Sequence, residues 1–156
     1  MLEIFVDGDA CPVKNDVYRL ALRHGLRVVV VSHGPLRVPE KGRVERVRVK
    51  PGFGAADDWI AEHIARDDIA ITADIPLADR CLKKGARVLA PSGQLYSEAS
   101  IGDALATRGL MEDLRAMGEI RGGPAPFSPA DRRRFASRLG EIIVALRVGK
   151  GSGSGG

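Results

Sequence analysis

The sequence is poor in cysteine and in aromatic residues. It has two cysteines, Cys11 and Cys81, in 156 residues, and aromatic side chains make up 4% of the chain. Two cysteines without a CxxC or Cys/His spacing exclude a disulfide framework and a thiolate zinc site, so we expect buried thiols. The few aromatic residues give little support for stacking on nucleic-acid bases.

Long apolar runs are missing as well. The first ten residues, MLEIFVDGDA, carry acidic side chains where a signal peptide needs a basic start and a longer apolar run. Later apolar runs stay well below the roughly 20 residues of a membrane-spanning helix. We therefore expect a cytoplasmic protein that has no membrane partner.

Basic residues are unevenly distributed along the chain. The net charge is +4, and the excess lies in residues 107–156, which hold nine basic and five acidic side chains. A second basic stretch, RVPEKGRVERVRVK at residues 37–50, has six basic residues against two acidic ones. Such patches suit a polyanionic partner such as nucleic acid. A basic edge strand also protects a sheet against edge-to-edge aggregation, which is the alternative explanation.

The order of apolar runs predicts an α/β fold. Buried strands are expected at residues 4–6, 27–32, 69–72 and 87–90, with a half-exposed edge strand at 44–49. Helices are expected at residues 12–24, 56–66 and 76–84. Because strands and helices mostly alternate, we predict a largely parallel central sheet with helices on both faces.

The chain length predicts a single domain, which we place at residues 1–148. From about residue 100 the pattern becomes helical, with one helix around residues 110–117 and another from Ser128 after the stretch RGGPAPF. The Gly- and Ser-rich residues 149–156 are expected to form a flexible tail.

Two similar stretches, IFVDGDACP and IAITADIPLAD, each join an apolar strand to a helix start through aspartate. Asp7, Asp9 and Asp74 therefore lie just outside the carboxyl ends of two strands. If these strands are central neighbours in the sheet, their ends frame the crevice in which α/β proteins bind ligands.

Two further acidic positions are candidates for the same crevice. Asp79 lies in the next turn of the helix that follows Asp74. Asp57 and Asp58 open another helix, and because adjacent helical residues point about 100° apart, we expect one of them to face inward. We favour Asp57.

Each aspartate alone is explained by capping, since carboxylates are stabilised at helix N-termini. Together they would repel one another unless a cation or protons compensate the charge. Hard oxygen ligands select Mg²⁺ or Mn²⁺, and such a site suits phosphodiester hydrolysis. The candidate catalytic residues are Asp7, Asp9, Asp57, Asp74 and Asp79, and the candidate metal ligands are Asp7, Asp57, Asp74 and Asp79.

The opening FVDGD also fits a haloacid-dehalogenase-like phosphatase, in which the first aspartate is a nucleophile and the second an acid. That family needs a lysine followed by a further acidic pair at a strand end. Here Asp74 precedes Lys83 and Lys84, and the next strand ends in LAPS. The order of these residues counts against the phosphatase.

Five motifs, DGDACPVK, GAADDWI, ITADIPLADR, MEDLRAMG and GGPAPFSPADRRRF, resemble the YaiI/YqxD family of uncharacterised bacterial proteins over residues 2 to about 147. The resemblance implies a PIN-like three-layer sandwich related to metal-dependent nucleases. The PIN-type acidic set falls on Asp7, Asp57, Asp74 and Asp79, and the family adds Asp9. The chain departs from the family at Gly54, where an acidic residue is usual.

Basic residues near the proposed crevice are candidates for phosphate or nucleic-acid contact. Lys14, Arg80 and Lys83 are near it in sequence, and Arg115 and Arg132 join them if the C-terminal helices fold over the same face. Solvated helix faces are the alternative. The leading hypothesis is a Mg²⁺- or Mn²⁺-dependent ribonuclease, and the second is a regulatory protein that binds metal and nucleic acid without turnover.

Overall fold

The computed structural model describes residues 2–52, 54–119 and 126–154. Six strands and five α-helices lie within these residues. Their bounds are β1 (Glu3–Asp7), a 3₁₀ turn (Gly8–Ala10), α1 (Lys14–His24), β2 (Arg27–Ser32), β3 (Arg43–Arg48), α2 (Ala55–His63), β4 (Ile69–Ile71), α3 (Ile75–Lys83), β5 (Arg87–Leu89), β6 (Leu95–Tyr96), α4 (Glu98–Ala116) and α5 (Pro129–Ser154).

The strands form one sheet in the order β3-β2-β1-β4-β5-β6. Strands β1 to β5 run parallel, and β6 is antiparallel to β5. The chain therefore moves outward from β1 through β2 to β3 and then returns to the other side of β1 as β4. This reversal creates a topological switch point at which the carboxyl ends of β1 and β4 lie side by side.

Alternating residues of the central strands supply two apolar cores, because successive strand side chains point to opposite faces. On one face, Ile4 and Val6 of β1 belong to a core shared with α1 and α5. On the other face, Phe5 belongs to a core shared with α2, α3 and α4. The protein is thus an α/β three-layer sandwich with a mostly parallel sheet, which confirms the predicted fold class.

Local sequence signals explain where the two best-marked helices begin. Asp74 accepts a hydrogen bond from the backbone N–H of Leu77 at 2.9 Å, and Pro76 stands in the first turn of α3. Before α5, the Ser128 hydroxyl accepts from the Asp131 N–H at 3.1 Å, while the Asp131 carboxylate accepts from the Ser128 N–H at 3.0 Å. This reciprocal pair satisfies two backbone donors at the helix start.

Some elements differ from the sequence expectation. The two-residue strand β6 and the first half of α4 were not expected, and α2 ends at His63 because Ile64 adopts an extended conformation. Helix α5 continues to Ser154 and so includes residues assigned to the tail. The domain limits and the flexibility of the tail stay predictions. Within the described residues, no helix is long and apolar enough to cross a membrane.

Candidate functional site

The candidate site lies at the carboxyl ends of β1 and β4. Val6 of β1 is in register with Ile71 of β4, so Asp7 and the residues after Ile71 lie at the same edge of the sheet. Asp7 ends β1, and Asp74 caps the helix that follows β4. The two stretches that the sequence singles out are therefore neighbours at the switch point.

A buried hydroxyl links the two aspartates. Thr72 accepts a hydrogen bond from the backbone N–H of Asp74 at 3.0 Å and donates one to Oδ2 of Asp7 at 3.2 Å. The Asp74 N–H fixes the Thr72 hydroxyl, whose own proton then points to Asp7. Thr72 therefore sets the position of the Asp7 carboxylate. Sequence reasoning missed this residue, and its signal is a hydroxyl at the end of the apolar run IAIT.

Burial and charge act together on Asp7. Burial is the main cause that raises the pKa of this carboxyl group above its ordinary value, and repulsion from Asp74 and Asp9 adds to it. The hydrogen bond from Thr72 acts in the opposite direction and lowers the pKa. Because the causes that raise the pKa prevail, ionisation of Asp7 costs free energy in the folded protein.

Asp57 joins this pair from the first turn of α2. Burial raises its pKa to about 6, with further contributions from the charges of Asp74 and Asp7. Its neighbour Asp58 points elsewhere, since its carboxylate forms an ion pair with Arg80 at 2.8 Å. Of the two adjacent acids, Asp57 is thus the one that approaches Asp7 and Asp74.

Asp9 faces the loop that follows β2. Its Oδ2 accepts from the backbone N–H of His33 at 3.1 Å and lies 3.0 Å from Nδ1 of the same residue. Its Oδ1 accepts from the N–H of Gly34 at 3.4 Å. Sequence reasoning named no partner for His33, because this contact joins residues that are 24 positions apart.

Four of the side chains described above, Asp7, Asp9, His33 and Asp57, line a crevice of about 190 Å³. The rest of its lining consists of Val49, Gly52, Gly54, Ala55 and Ala56. A larger cleft of about 600 Å³ lies between α5 and the β5–β6 hairpin, at the opposite edge of the sheet. We place the candidate site in the smaller crevice because burial, assisted by repulsion between carboxylates, raises the pKa values of Asp7 and Asp57 there, and groups with raised pKa values are common in functional sites.

The other predicted site residues have different environments. Asp79 forms an ion pair with Lys83 within α3 at 2.8 Å. Lys14 donates to the carbonyl oxygen of Gly8 at 2.9 Å, which places its ammonium group beside the turn between Asp7 and Asp9. The metal and phosphate roles of Asp79, Lys83 and Lys14 stay predictions.

Two arginines predicted to contact phosphate belong to the C-terminal helices. Arg132 forms an ion pair with Asp16 at 2.8 Å and so connects α5 to the first turn of α1. Arg115 is exposed near the end of α4. Neither residue lines the acidic crevice.

The carboxylates of the crevice fit the divalent cation that the sequence implies if this cation keeps water ligands. In residues 2–52, 54–119 and 126–154, no three His, Cys, Asp or Glu side chains stand together in an arrangement that holds a metal ion. Mg²⁺ keeps several water ligands and needs one or two carboxylates from the protein, so it does not require such a triad. The mutually repelling Asp7 and Asp57 therefore fit a hydrated cation but not a fully protein-enclosed one.

Fold and site define a mostly parallel α/β protein with a cluster of aspartates at its topological switch point. The model of the uncharacterized YaiI/YqxD family matches residues 5–145, and the chain belongs to this family. The family resemblance read from the motifs is thereby confirmed, whereas its PIN-like character stays a prediction.

Curated relatives carry the family name UPF0178 and are similar over nearly the whole chain. The protein from Rhodospirillum centenum is 56% identical, with 96% of this chain and 100% of that one covered. A relative from Sphingopyxis alaskensis is 58% identical over 94% of this chain and 96% of its own. One from Azorhizobium caulinodans is 54% identical, with 94% and 92% covered. These names state no activity.

Proposed function

We propose that this protein is a Mg²⁺- or Mn²⁺-dependent nuclease that hydrolyses phosphodiester bonds in RNA at the acidic crevice, in the cytoplasm. The observation that carries the proposal is that Asp7 and Asp57 line one crevice near Asp74, where burial first, and the charges of Asp74 and Asp7 second, raise the pKa of Asp57 to about 6. Like charges that lie close together repel one another and destabilise the folded protein. A divalent cation that binds between them removes this repulsion, and this favours its binding.

The residues of the crevice have distinct roles in this proposal. Asp7 and Asp57 hold the cation, and Asp74 adds negative charge while it caps α3. Thr72 keeps Asp7 in place through its hydrogen bond. When bound, the metal supplies Lewis-acid polarisation of the phosphoryl oxygen and a nucleophile from water at neutral pH.

The charge beside the crevice favours a polyanionic substrate. The exposed residues Arg48 and Lys50 lie at the carboxyl end of β3, on either side of Val49, which lines the crevice. Lys14 adds a positive charge close to Asp7 and Asp9. Cationic side chains of this kind position phosphates without reading sequence.

The wall opposite Asp7 leaves room for a nucleotide backbone. Gly52 and Gly54 both line the crevice, and a Cβ atom added at either position would meet no atom within 4 Å. Gly54 also has a φ of +75°, which a side chain would strain. Glycine at these two positions therefore keeps this wall open.

The second candidate is a metal- and nucleic-acid-binding protein without turnover. One observation favours it: Asp9 pairs with His33 and Asp79 pairs with Lys83, so that Asp7 and Asp57 are left for one hydrated cation and not for the pair of cations that many nucleases use. Such a protein would bind RNA and cation through the same residues, but it would leave the phosphodiester bond intact.

Incubation of single-stranded RNA with the protein and MnCl₂ separates these functions. We expect cleavage by the wild-type protein, loss of at least about 100-fold in rate for Asp57→Asn and for Asp7→Asn, and no cleavage in EDTA. Asp67→Asn is the matched control: Asp67 precedes β4 at the opposite edge of the sheet, and asparagine tolerates its φ of +67°.

Two results would contradict the nuclease. RNA binding without cleavage by the wild-type protein would favour the non-catalytic candidate. Cleavage that Asp7→Asn and Asp57→Asn retain at the wild-type rate would remove the crevice from the reaction.

A further inference from the structure

We propose that His33 is the general acid of this site and that Asp9 is its positioning residue, so that Nε2 of His33 gives a proton to the leaving oxygen of the phosphodiester. This inference rests on the proposed nuclease function. It assigns Asp9 to the histidine and not to the metal.

The contacts of Asp9 fix the histidine ring. Its Oδ2 lies 3.0 Å from Nδ1 of His33 and accepts the backbone N–H of the same residue at 3.1 Å. One carboxylate oxygen of Asp9 thus contacts both the main chain and the side chain of His33. A proton on Nδ1 satisfies this contact, and Nε2 is then the ring nitrogen available to a substrate.

The fold brings Asp9 and His33 together by a close approach of two strands. β1 and β2 are parallel neighbours, and Asp7 is in register with Val31. The turn after β1 packs against β2 so closely that a Cβ atom on Gly8 would lie 2.7 Å from Cγ1 of Val30. Glycine at this position therefore lets Asp9 reach the loop that begins at His33.

The loop after β2 is itself held in place. The hydroxyl of Ser32 donates to the carbonyl oxygen of Gly34 at 3.1 Å, and the N–H of Gly34 donates to Oδ1 of Asp9 at 3.4 Å. His33 thus sits in a loop restrained on both sides. Its side chain, 52% exposed, lines the same crevice as Asp7 and Asp57.

The chemistry of the proposed reaction gives this arrangement a role. Hydrolysis joins a water oxygen to phosphorus and breaks the bond between phosphorus and the ester oxygen, which leaves as an alkoxide unless it is protonated. The attacking water gives up its proton to solvent, while the imidazolium of His33 transfers its Nε2 proton to the leaving oxygen. The ring afterwards regains one proton from solvent, so that the enzyme returns to its starting state. Asp9 keeps the ring oriented for this proton transfer.

Leaving groups of different basicity test this role. His33→Asn keeps a side-chain donor near Asp9 but removes Nε2. With MnCl₂, we expect this variant to lose at least about 100-fold in kcat on single-stranded RNA, whose leaving alkoxide needs a proton. On thymidine 5′-(p-nitrophenyl) phosphate, whose phenolate leaves without one, we expect a loss of no more than about threefold.

Two further variants complete the experiment. Asp9→Asn should lower kcat on RNA by about tenfold and leave the p-nitrophenyl ester almost unaffected, since it disturbs the ring without removing it. His63→Asn is the control, because His63 stacks on Trp59 at the end of α2 and lies outside the crevice. It should match the wild type on both substrates.

The outcomes separate this inference from the function on which it rests. Wild-type protein that leaves RNA intact contradicts the nuclease itself. An active wild type combined with an unchanged His33→Asn rate on RNA overturns the role of His33 alone. An equal loss on both esters also overturns it, because a group that protonates the leaving oxygen must distinguish them.

Discussion

At the scale of single residues, the ionisation of Asp57 connects the site to stability. Its pKa is raised from an ordinary value of 3.8 to about 6 in the folded protein. Between these two values the folded chain binds more protons than the unfolded chain. The free energy of unfolding therefore falls as the pH rises through this range, and the loss is complete above the folded pKa.

Asp57→Asn should consequently stabilise the metal-free protein at neutral and higher pH. We expect a gain of about 1 kcal/mol at pH 8, since partial exposure reduces the cost of burying the charge and the repulsion from its neighbours, and almost no gain near pH 4. Urea denaturation in EDTA at both pH values measures this difference. Asp67→Asn should show no such pH dependence, and a destabilised Asp57→Asn protein at pH 8 would show that the charge of Asp57 does not destabilise the fold.

The residue scale also shows which parts of the site can be read from the sequence. Asp7 and Asp74 are predictable because each follows an apolar strand and precedes a marked helix start. Thr72 and His33 are not, since their partners Asp7 and Asp9 lie 65 and 24 residues away. Which of Asp57 and Asp58 turns inward also depends on tertiary structure, because Arg80 of α3 holds Asp58.

At the scale of elements, α5 is attached to the sheet by its apolar side. Phe135, Leu139 and Ile143 are fully buried in the core that α5 shares with α1 and β1. Arg132 adds an ion pair with Asp16, whose side chain is 8% exposed. The packing of α5 thus rests on burial and on a polar contact near its N-terminus.

Phe135→Ala should destabilise the protein by about 3–5 kcal/mol, because it leaves a cavity in this core. Arg132→Gln should cost less, about 1 kcal/mol, since Arg19 still pairs with Asp16 at 3.1 Å. Urea denaturation of both variants gives these values. A larger loss for Arg132→Gln than for Phe135→Ala would mean that the ion pair, and not the apolar contact, holds α5.

Helices and strands that carry strong local sequence signals can be predicted, and those without such signals cannot. Ser128 before α5 and Asp74 with Pro76 before α3 mark helix starts that the structure contains. Strand β6 is two residues long and owes its conformation to pairing with β5, so it has no pattern of its own. Helix α4 begins with a Ser97–Ser100 capping box, in which serine takes the place of the Glu or Gln that marks this motif in a sequence.

At the scale of the whole molecule, charge is arranged around the acidic crevice. The carboxylates occupy the switch point, while the basic stretch of residues 37–50 contains β3, the edge strand on that side of the sheet. In the proposed function, this edge holds phosphates while the crevice holds the cation. In the alternative explanation, the basic residues of β3 only prevent this edge strand from pairing with a strand of another molecule.

Reversing charge at this edge distinguishes the two explanations. The double variant Arg48→Glu/Lys50→Glu should weaken binding of single-stranded RNA in EDTA and reduce the slope of log K against log salt by about 1.4. Fluorescence anisotropy at several salt concentrations measures both quantities. Arg66→Glu/Arg87→Glu makes the same change in net charge at the opposite end of β4 and β5, and equal effects of the two double variants would refute a localised contact.

Binding of Mn²⁺ tests the central claim most directly, because it asks about the crevice without requiring a known substrate. The electron paramagnetic resonance signal of free Mn²⁺ should fall when wild-type protein or Asp67→Asn is added at pH 7.5. We predict that Asp57→Asn binds Mn²⁺ at least about tenfold more weakly, because one carboxylate of the site is lost. Equal Mn²⁺ affinity in all three proteins would contradict a cation site between Asp7 and Asp57.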